Sequence, residues 1–107
     1  MGIWANTIVN TVGAPGGTIT ASGGAGGNGG NGEALGNCGG GGTGSGGGGG
    51  FVYIVTRSYT GLPPVATGGA CGPTFGAKSG TGLDGAYGAV GSAGVVLKYN
   101  LSTGVWS

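Results

Sequence analysis

A glycine stands at every third position from residue 76 to residue 94, at Gly76, Gly82, Gly85, Gly88, Gly91 and Gly94, and Ser79 is the one interruption. A polyproline-II-like helix has three residues per turn and no internal hydrogen bonds, so this spacing lays bare backbone along one edge, where another chain segment can approach closely. The run Gly23-Gly24-Ala25-Gly26-Gly27-Asn28-Gly29-Gly30-Asn31-Gly32 repeats the pattern with two glycines per turn and one side chain left for the outside. The feature predicts glycine edges that serve as packing surfaces.

Glycine supplies 34 of the 107 residues, with 4 prolines and a formal net charge of +1. A collagen triple helix needs the third-residue rule throughout and abundant proline, and this chain has neither. A flexible linker would not carry Phe51-Val52-Tyr53-Ile54-Val55 or Val95-Val96-Leu97 among its glycines. Arg57, Lys78 and Lys98 are the only cations, too few for the phosphate neutralisation that drives nucleic-acid binding. No stretch approaches the roughly 18 apolar residues that cross a bilayer, and Met1-Gly2-Ile3-Trp4 lacks the basic-then-apolar pattern of a signal peptide. The expectation is therefore no nucleic-acid partner and no membrane insertion, with release by lysis still open to a virion component.

Ordering a backbone costs about 1 to 2 kcal/mol per residue, most for glycine, and few large side chains are present to offset it. Two remedies are expected together: dense backbone hydrogen bonding between extended segments, and association of several copies. Cys38 and Cys71 add a candidate disulfide that would close a loop of about 30 residues and contribute on the order of 3 kcal/mol; two free thiols are the alternative.

An order of apolar strand, turn, short strand and glycine tract recurs along the chain. Thr7 to Gly13 leads to Thr18 to Ala25, and Tyr53 to Gly61 leads to Pro64 to Ala70, an offset of about 45 residues; a third copy stops early after Val95 to Tyr99. The reading is an all-β fold with polyproline-II-like (polyglycine-II) helices and no significant α-helix, one glycine-rich repeat domain over 1–107 with units at about 1–50, 51–94 and a partial 95–107. Phe51, Tyr53 and Val55 point one way and Val52 and Ile54 the other, which predicts a core strand buried on both faces. At the carboxyl end Tyr99 to Trp106 reads as a hairpin, with Asn100 opening the turn and Gly104 at positive φ.

The chain has no histidine, and Glu33 and Asp84 are its only carboxylates. General acid–base and nucleophilic chemistry need tuned titratable groups side by side, so the expectation is a non-enzymatic protein without cofactor or metal. The glycine run over residues 39–50 lacks the lysine and hydroxyl pair of a phosphate loop and precedes a strand instead of following one.

Gly17 to Gly30, the run Gly46 to Gly50 joined to Phe51-Val52-Tyr53-Ile54-Val55, and the third-residue glycines to Gly94 resemble glycine-rich bacteriophage tail-fibre and adhesin proteins. The resemblance implies sandwiches of polyglycine-II helices, exposed loops that bind a host receptor, and a place at the end of a fibre. The same third-residue glycines resemble those of glycine-rich insect antifreeze proteins, but Lys78, Leu83 and Tyr87 spoil a flat ice face. The function expected is a structural subunit of a virion, as tail fibre or decoration, or of an extracellular filament; a receptor-binding tip or ice-binding module is the alternative. Expected partners are copies of the chain itself, other virion proteins or a host surface receptor, in a virion or extracellular setting. Phe51, Tyr53, Ile54, Val55, Gly85, Gly88, Leu97 and Trp106 are the candidate assembly residues, and Asn28, Asn31, Leu83 and Tyr87 the candidate receptor contacts.

Overall fold

The computed structural model describes residues 1–10 and 18–107; the part of the Thr7 to Gly13 run beyond Asn10, and Gly17, lie outside them. Among the described residues the fold is all-β with no helix. Its four strands are β1 (Gly2–Asn10), β2 (Phe51–Gly61), β3 (Val95–Asn100) and β4 (Val105–Trp106), joined in one sheet in that order. β1, β2 and β3 run parallel, and β4 returns antiparallel beside β3. Parallel neighbours require long crossovers, ordinarily helical. Here the crossovers are made of extended glycine-rich tracts.

Four such tracts cross the molecule, the first over residues 21–32, the second 38–50, the third 65–77 and the fourth 82–94. They are joined by backbone hydrogen bonds at intervals of three residues. Gly23, Gly26 and Gly29 of the first tract donate to Thr67, Ala70 and Thr74 of the third, which runs parallel to it. Gly40, Thr43, Gly46 and Gly49 of the second donate to Leu83, Ala86, Ala89 and Ser92 of the fourth, also parallel. Between these two pairs the direction reverses. Gly41, Gly44 and Gly47 donate to Gly30, Gly27 and Gly24, while Gly69, Gly72 and Gly76 donate back to Gly47, Gly44 and Gly41, all at 2.8–3.0 Å. The second and fourth tracts thus form one layer, continuous with β2 and β3, and the first and third form a second layer beneath it. Two layers account for a molecule of 67 × 29 × 14 Å.

The glycine spacing follows from this mating. A Cβ on Gly23, Gly26 or Gly29 would fall inside the carbonyl groups of Gly47, Gly44 and Gly41. The third tract departs once from the rule. Pro73 adds a residue between Gly72 and Gly76, and Gly88 opposite donates to the hydroxyl of Thr43 at 2.7 Å. Thr43 interrupts the polyglycine run where a side-chain acceptor is used. The series from Gly76 to Gly94 is also not one tract: the chain reverses at residues 78–81, where Gly80 has φ +58° and the Ser79 amide donates to Cys38.

The side-chain core lies at the sheet end. Val52 and Ile54 are fully buried and pack with Ala66 against Ile3, Ile8, Ile19, Ala21, Tyr59 and Val96. Burying one such aliphatic side chain stabilises by about 1.5–3 kcal/mol. β2 is central, but its two faces are not equally hidden as the sequence suggests: Val52 and Ile54 face the second layer, while Phe51 on the other face stays half-exposed. The alternation breaks at Val55 and Thr56, both buried. Val65 pairs with Thr20 and accepts from Ala21, whose carbonyl takes the Gly50 amide. The few residues from Gly61 to Val65 reach that point only because β2 folds back; a straight strand of 11 residues would carry Gly61 about 35 Å away. Thr56 holds the bend, its hydroxyl donating to the carbonyls of Asn6 and Ser58. The carboxyl-terminal hairpin is as expected, with Asn100 Oδ1 accepting from Ser102 and Thr103 and Gly104 at φ +67°.

Candidate assembly surfaces

The outward face of the sheet gathers aromatic side chains from all four strands. The register places Trp4 and Tyr99 on either side of Val55, Tyr53 beside Leu97, and Trp106 beside Tyr99, all on the face turned away from the second layer. The rings touch in sequence: Trp4 to Tyr53 at 6.5 Å between centroids, Phe51 to Tyr53 at 6.4 Å, Tyr53 to Trp106 at 5.4 Å and Trp106 to Tyr99 at 4.9 Å. Trp4 is 76% exposed and Phe51 and Trp106 49% each. Both tryptophans of the chain therefore stand on this one surface.

Of the candidate assembly residues, Phe51, Tyr53, Leu97 and Trp106 come together on this face. Val55 lies on this face too, buried between Trp4 and Tyr99, whereas Ile54 does not: it is consumed in the chain's own interior. Gly85 and Gly88 lie against the second tract, a Cβ on either meeting the backbone of Gly41 or Gly44, so that edge is mated within the chain. Trp4 and Tyr99 were missed. Only the parallel register brings Trp4, near the amino terminus, beside β2, and no local pattern in the sequence signals that pairing.

A second surface is made of backbone. The first tract contacts the second and third but not the fourth, so it lies on the β1 side of the molecule. There Gly24, Gly27 and Gly30 face open space, with nothing within 4 Å of a built Cβ. Nothing inside the molecule requires glycine at those three positions. On the opposite side the fourth tract carries the exposed side chains of Leu83, Tyr87 and Val90, and β4 covers part of the edge of β3.

The candidate receptor residues divide. Asn28 and Asn31 point along the packet, their Oδ1 atoms accepting from the amides of Thr74 at 3.2 Å and Ala77 at 2.9 Å. They bind the neighbouring tract. Leu83 is exposed, and Tyr87 is exposed while meeting Phe75 edge-on at 5.0 Å. Asp84 accepts from the Lys78 amide at 2.8 Å and closes the turn between third and fourth tracts.

The sequence leaves a disulfide and two free thiols as alternatives for Cys38 and Cys71, and the structure has the second. Cys38 lies level with Ser79 at the end of the packet, whereas Cys71 sits between Gly69 and Gly72, opposite the Gly44 to Gly47 stretch of the second tract. At about 3.1 Å per residue of extended backbone this separates them by roughly 20 Å, beyond the ~7 Å between Cα atoms that a disulfide spans.

Among the described residues no pocket opens in the surface, no group of three metal-ligating side chains is present, and no helix is long and apolar enough to cross a membrane. No protein-family model matches the chain, and neither a curated protein nor a solved structure matches it.

Proposed function

We propose that this chain is a non-enzymatic structural subunit of a virion, as tail fibre or decoration, or of an extracellular filament, and that its four tracts are polyglycine-II helices built from a repeated unit of strand and tract. The repeat reading is supported by the offset of 44 to 45 residues between bonded positions of the first and third tracts. It is close to the offset of about 45 read from the sequence.

The observation that carries the assembly reading is the row Gly24, Gly27 and Gly30. On mated edges, as at Gly23, Gly26 and Gly29, glycine stands where a neighbouring backbone occupies the Cβ position; on this open edge it stands with no such neighbour in the chain. A glycine row on the same side of the molecule as β1, an edge strand of nine residues, suits the backbone of another copy. The elongated dimensions suit a fibre component, in which length along one axis is the useful product. The scarcity of titratable groups supports the non-enzymatic part of the reading, since Asp84 is engaged in a turn and Glu33 is the only other carboxylate.

Negative-stain microscopy of the purified protein tests the proposal. Particles or filaments longer than the 67 Å of a single chain are expected at micromolar concentration. A uniform field of single chains at every concentration overturns it. A receptor-binding tip is the second reading, favoured by Leu35 and Leu83, which stand almost wholly exposed at the end of the packet away from the sheet.

A further inference from the structure

We infer that a second copy of this chain docks face to face on the outer aromatic surface of the sheet, through Trp4, Phe51, Tyr53, Tyr99 and Trp106. The inference rests on the self-associating reading above and names a contact separate from the glycine edge. The argument begins with area. An aromatic side chain offers about 150–250 Å², so Trp4, Phe51 and Trp106 at their observed exposures present roughly 400 Å² from each copy. Val95, about half exposed on the same face, and the half-buried Tyr53, Leu97 and Tyr99 carry a two-copy interface past the ~1,000 Å² that specific association requires. An apolar patch of this size matches the largest that soluble chains carry, and such patches often mark a contact surface.

The shape and charge of the surface favour a copy of itself over other occupants. Four of the five rings are tilted against a neighbour by 43–51°, which forms ridges that a two-fold related face can interleave. A membrane surface would call for a basic rim. Lys98 instead lies on the inner face, 5.5 Å from the centre of the Tyr59 ring, and Lys78 sits in the distant turn between the third and fourth tracts, which leaves only Arg57 of β2 and the amino terminus beside Phe51, too few for such a rim. A glycan site would interleave hydrogen-bonding side chains with the rings, whereas here the rings contact one another directly from Trp4 through Tyr53 and Trp106 to Tyr99.

Because both tryptophans stand on this surface, their emission reads its occupancy directly. The experiment compares the wild-type chain with Trp4→Lys, Trp106→Lys and the edge variant Gly27→Leu, by light scattering and tryptophan emission from about 1 µM to 1 mM. A tryptophan at the centre of an interface is worth 2 kcal/mol or more, so each tryptophan variant is expected to raise the dissociation constant at least about 30-fold. Wild-type emission is expected to shift to shorter wavelength as pairing proceeds, and Gly27→Leu is expected to keep both the shift and the pair. Proton spectra showing unchanged Ile54 methyl shifts in the variants establish that the fold is intact. Association that persists unchanged in both tryptophan variants overturns the aromatic contact while leaving the self-associating reading standing. Wild-type chains that stay single to 1 mM overturn both. An emission shift on adding dextran or hydroxyethylcellulose to single chains overturns the inference in favour of a glycan.

Discussion

The two ends of this molecule reach order by different physical routes. At the sheet end, side chains do it: Val52 and Ile54 are removed from water and the strands alternate with a period of two until the bend at Thr56. At the tract end there is almost no side chain to bury, and backbone groups pair with backbone groups at a period of three. The first route tolerates changes of shape within an apolar volume, whereas the second tolerates no added atom on a mated edge. One chain thus carries two kinds of core, and substitutions are expected to sort by which one they touch.

The largest effect is expected at a mated glycine. A valine at Gly76 would drive its Cβ into the carbonyl of Gly30 while Gly76 also donates to Gly41. Gly76→Val is expected to cost about 4 kcal/mol or more, because backbone on both sides leaves nothing that can yield. Amide exchange checks this. In the wild type Gly40, Gly41, Thr43, Gly44, Gly46 and Gly47 should be protected while Gly42, Ser45 and Gly48 exchange quickly. In the variant, protection of the tracts should vanish while that of Val52 to Val55 remains. Loss at both ends together would show a single cooperative unit and break the comparison.

Ile54→Ala is the matching change at the other end. Removing a fully buried aliphatic group is expected to cost about 3 kcal/mol in denaturant unfolding, within the range seen for large-to-small core changes. A cost below about 1 kcal/mol would mean that the sheet draws its stability from backbone bonding as the tracts do.

Thr43→Val, a smaller change, tests one of the side-chain acceptors that patch the tract lattice. The hydroxyl of Thr43 takes the Gly88 amide in a partly buried setting, and valine removes it at nearly constant volume. An unsatisfied donor of this kind costs about 1–2 kcal/mol, and Thr43→Ser should recover most of it. Equal stability of the valine and serine variants would show that water replaces the hydroxyl there.

How much of this was legible from sequence follows the same division. The third-residue glycines announce extended mated tracts, because a steric rule leaves its mark at every contact. The hairpin was legible too, since Asn100 and Gly104 are the residues that such a turn requires. The pairing of tracts was not. Every tract offers the same amides and carbonyls, so nothing in the composition of residues 21–32 selects the third tract over the fourth as parallel neighbour. For the same reason Ser79 reads as a flaw in a continuous series when it marks a reversal, and nothing local to Asn28 and Asn31, both exposed, shows that their side chains also accept amides of the adjacent tract. The aromatic face was half legible: Phe51, Tyr53, Leu97 and Trp106 follow from strand alternation, whereas Trp4 joins them through a pairing across about 50 residues.

The smallest expected effect discriminates most sharply between a glycine that the fold needs and one that it does not. Gly27 belongs to the same tract as Gly26, yet a Cβ on Gly26 would strike the Gly44 carbonyl while one on Gly27 meets nothing within 4 Å. Neither has positive φ, so backbone conformation does not separate them. Gly26→Ala should therefore destabilise the single chain strongly, and Gly27→Ala should change it by less than about 0.5 kcal/mol or stabilise it slightly, since alanine reduces the freedom of the unfolded chain. If Gly27→Ala is neutral in dilute solution, where copies are apart, but weakens association when chains are concentrated, then glycine at that position answers to a neighbour outside the chain. If it destabilises the isolated chain as much as Gly26→Ala, the first tract has no open edge and the distinction between its mated and free faces fails.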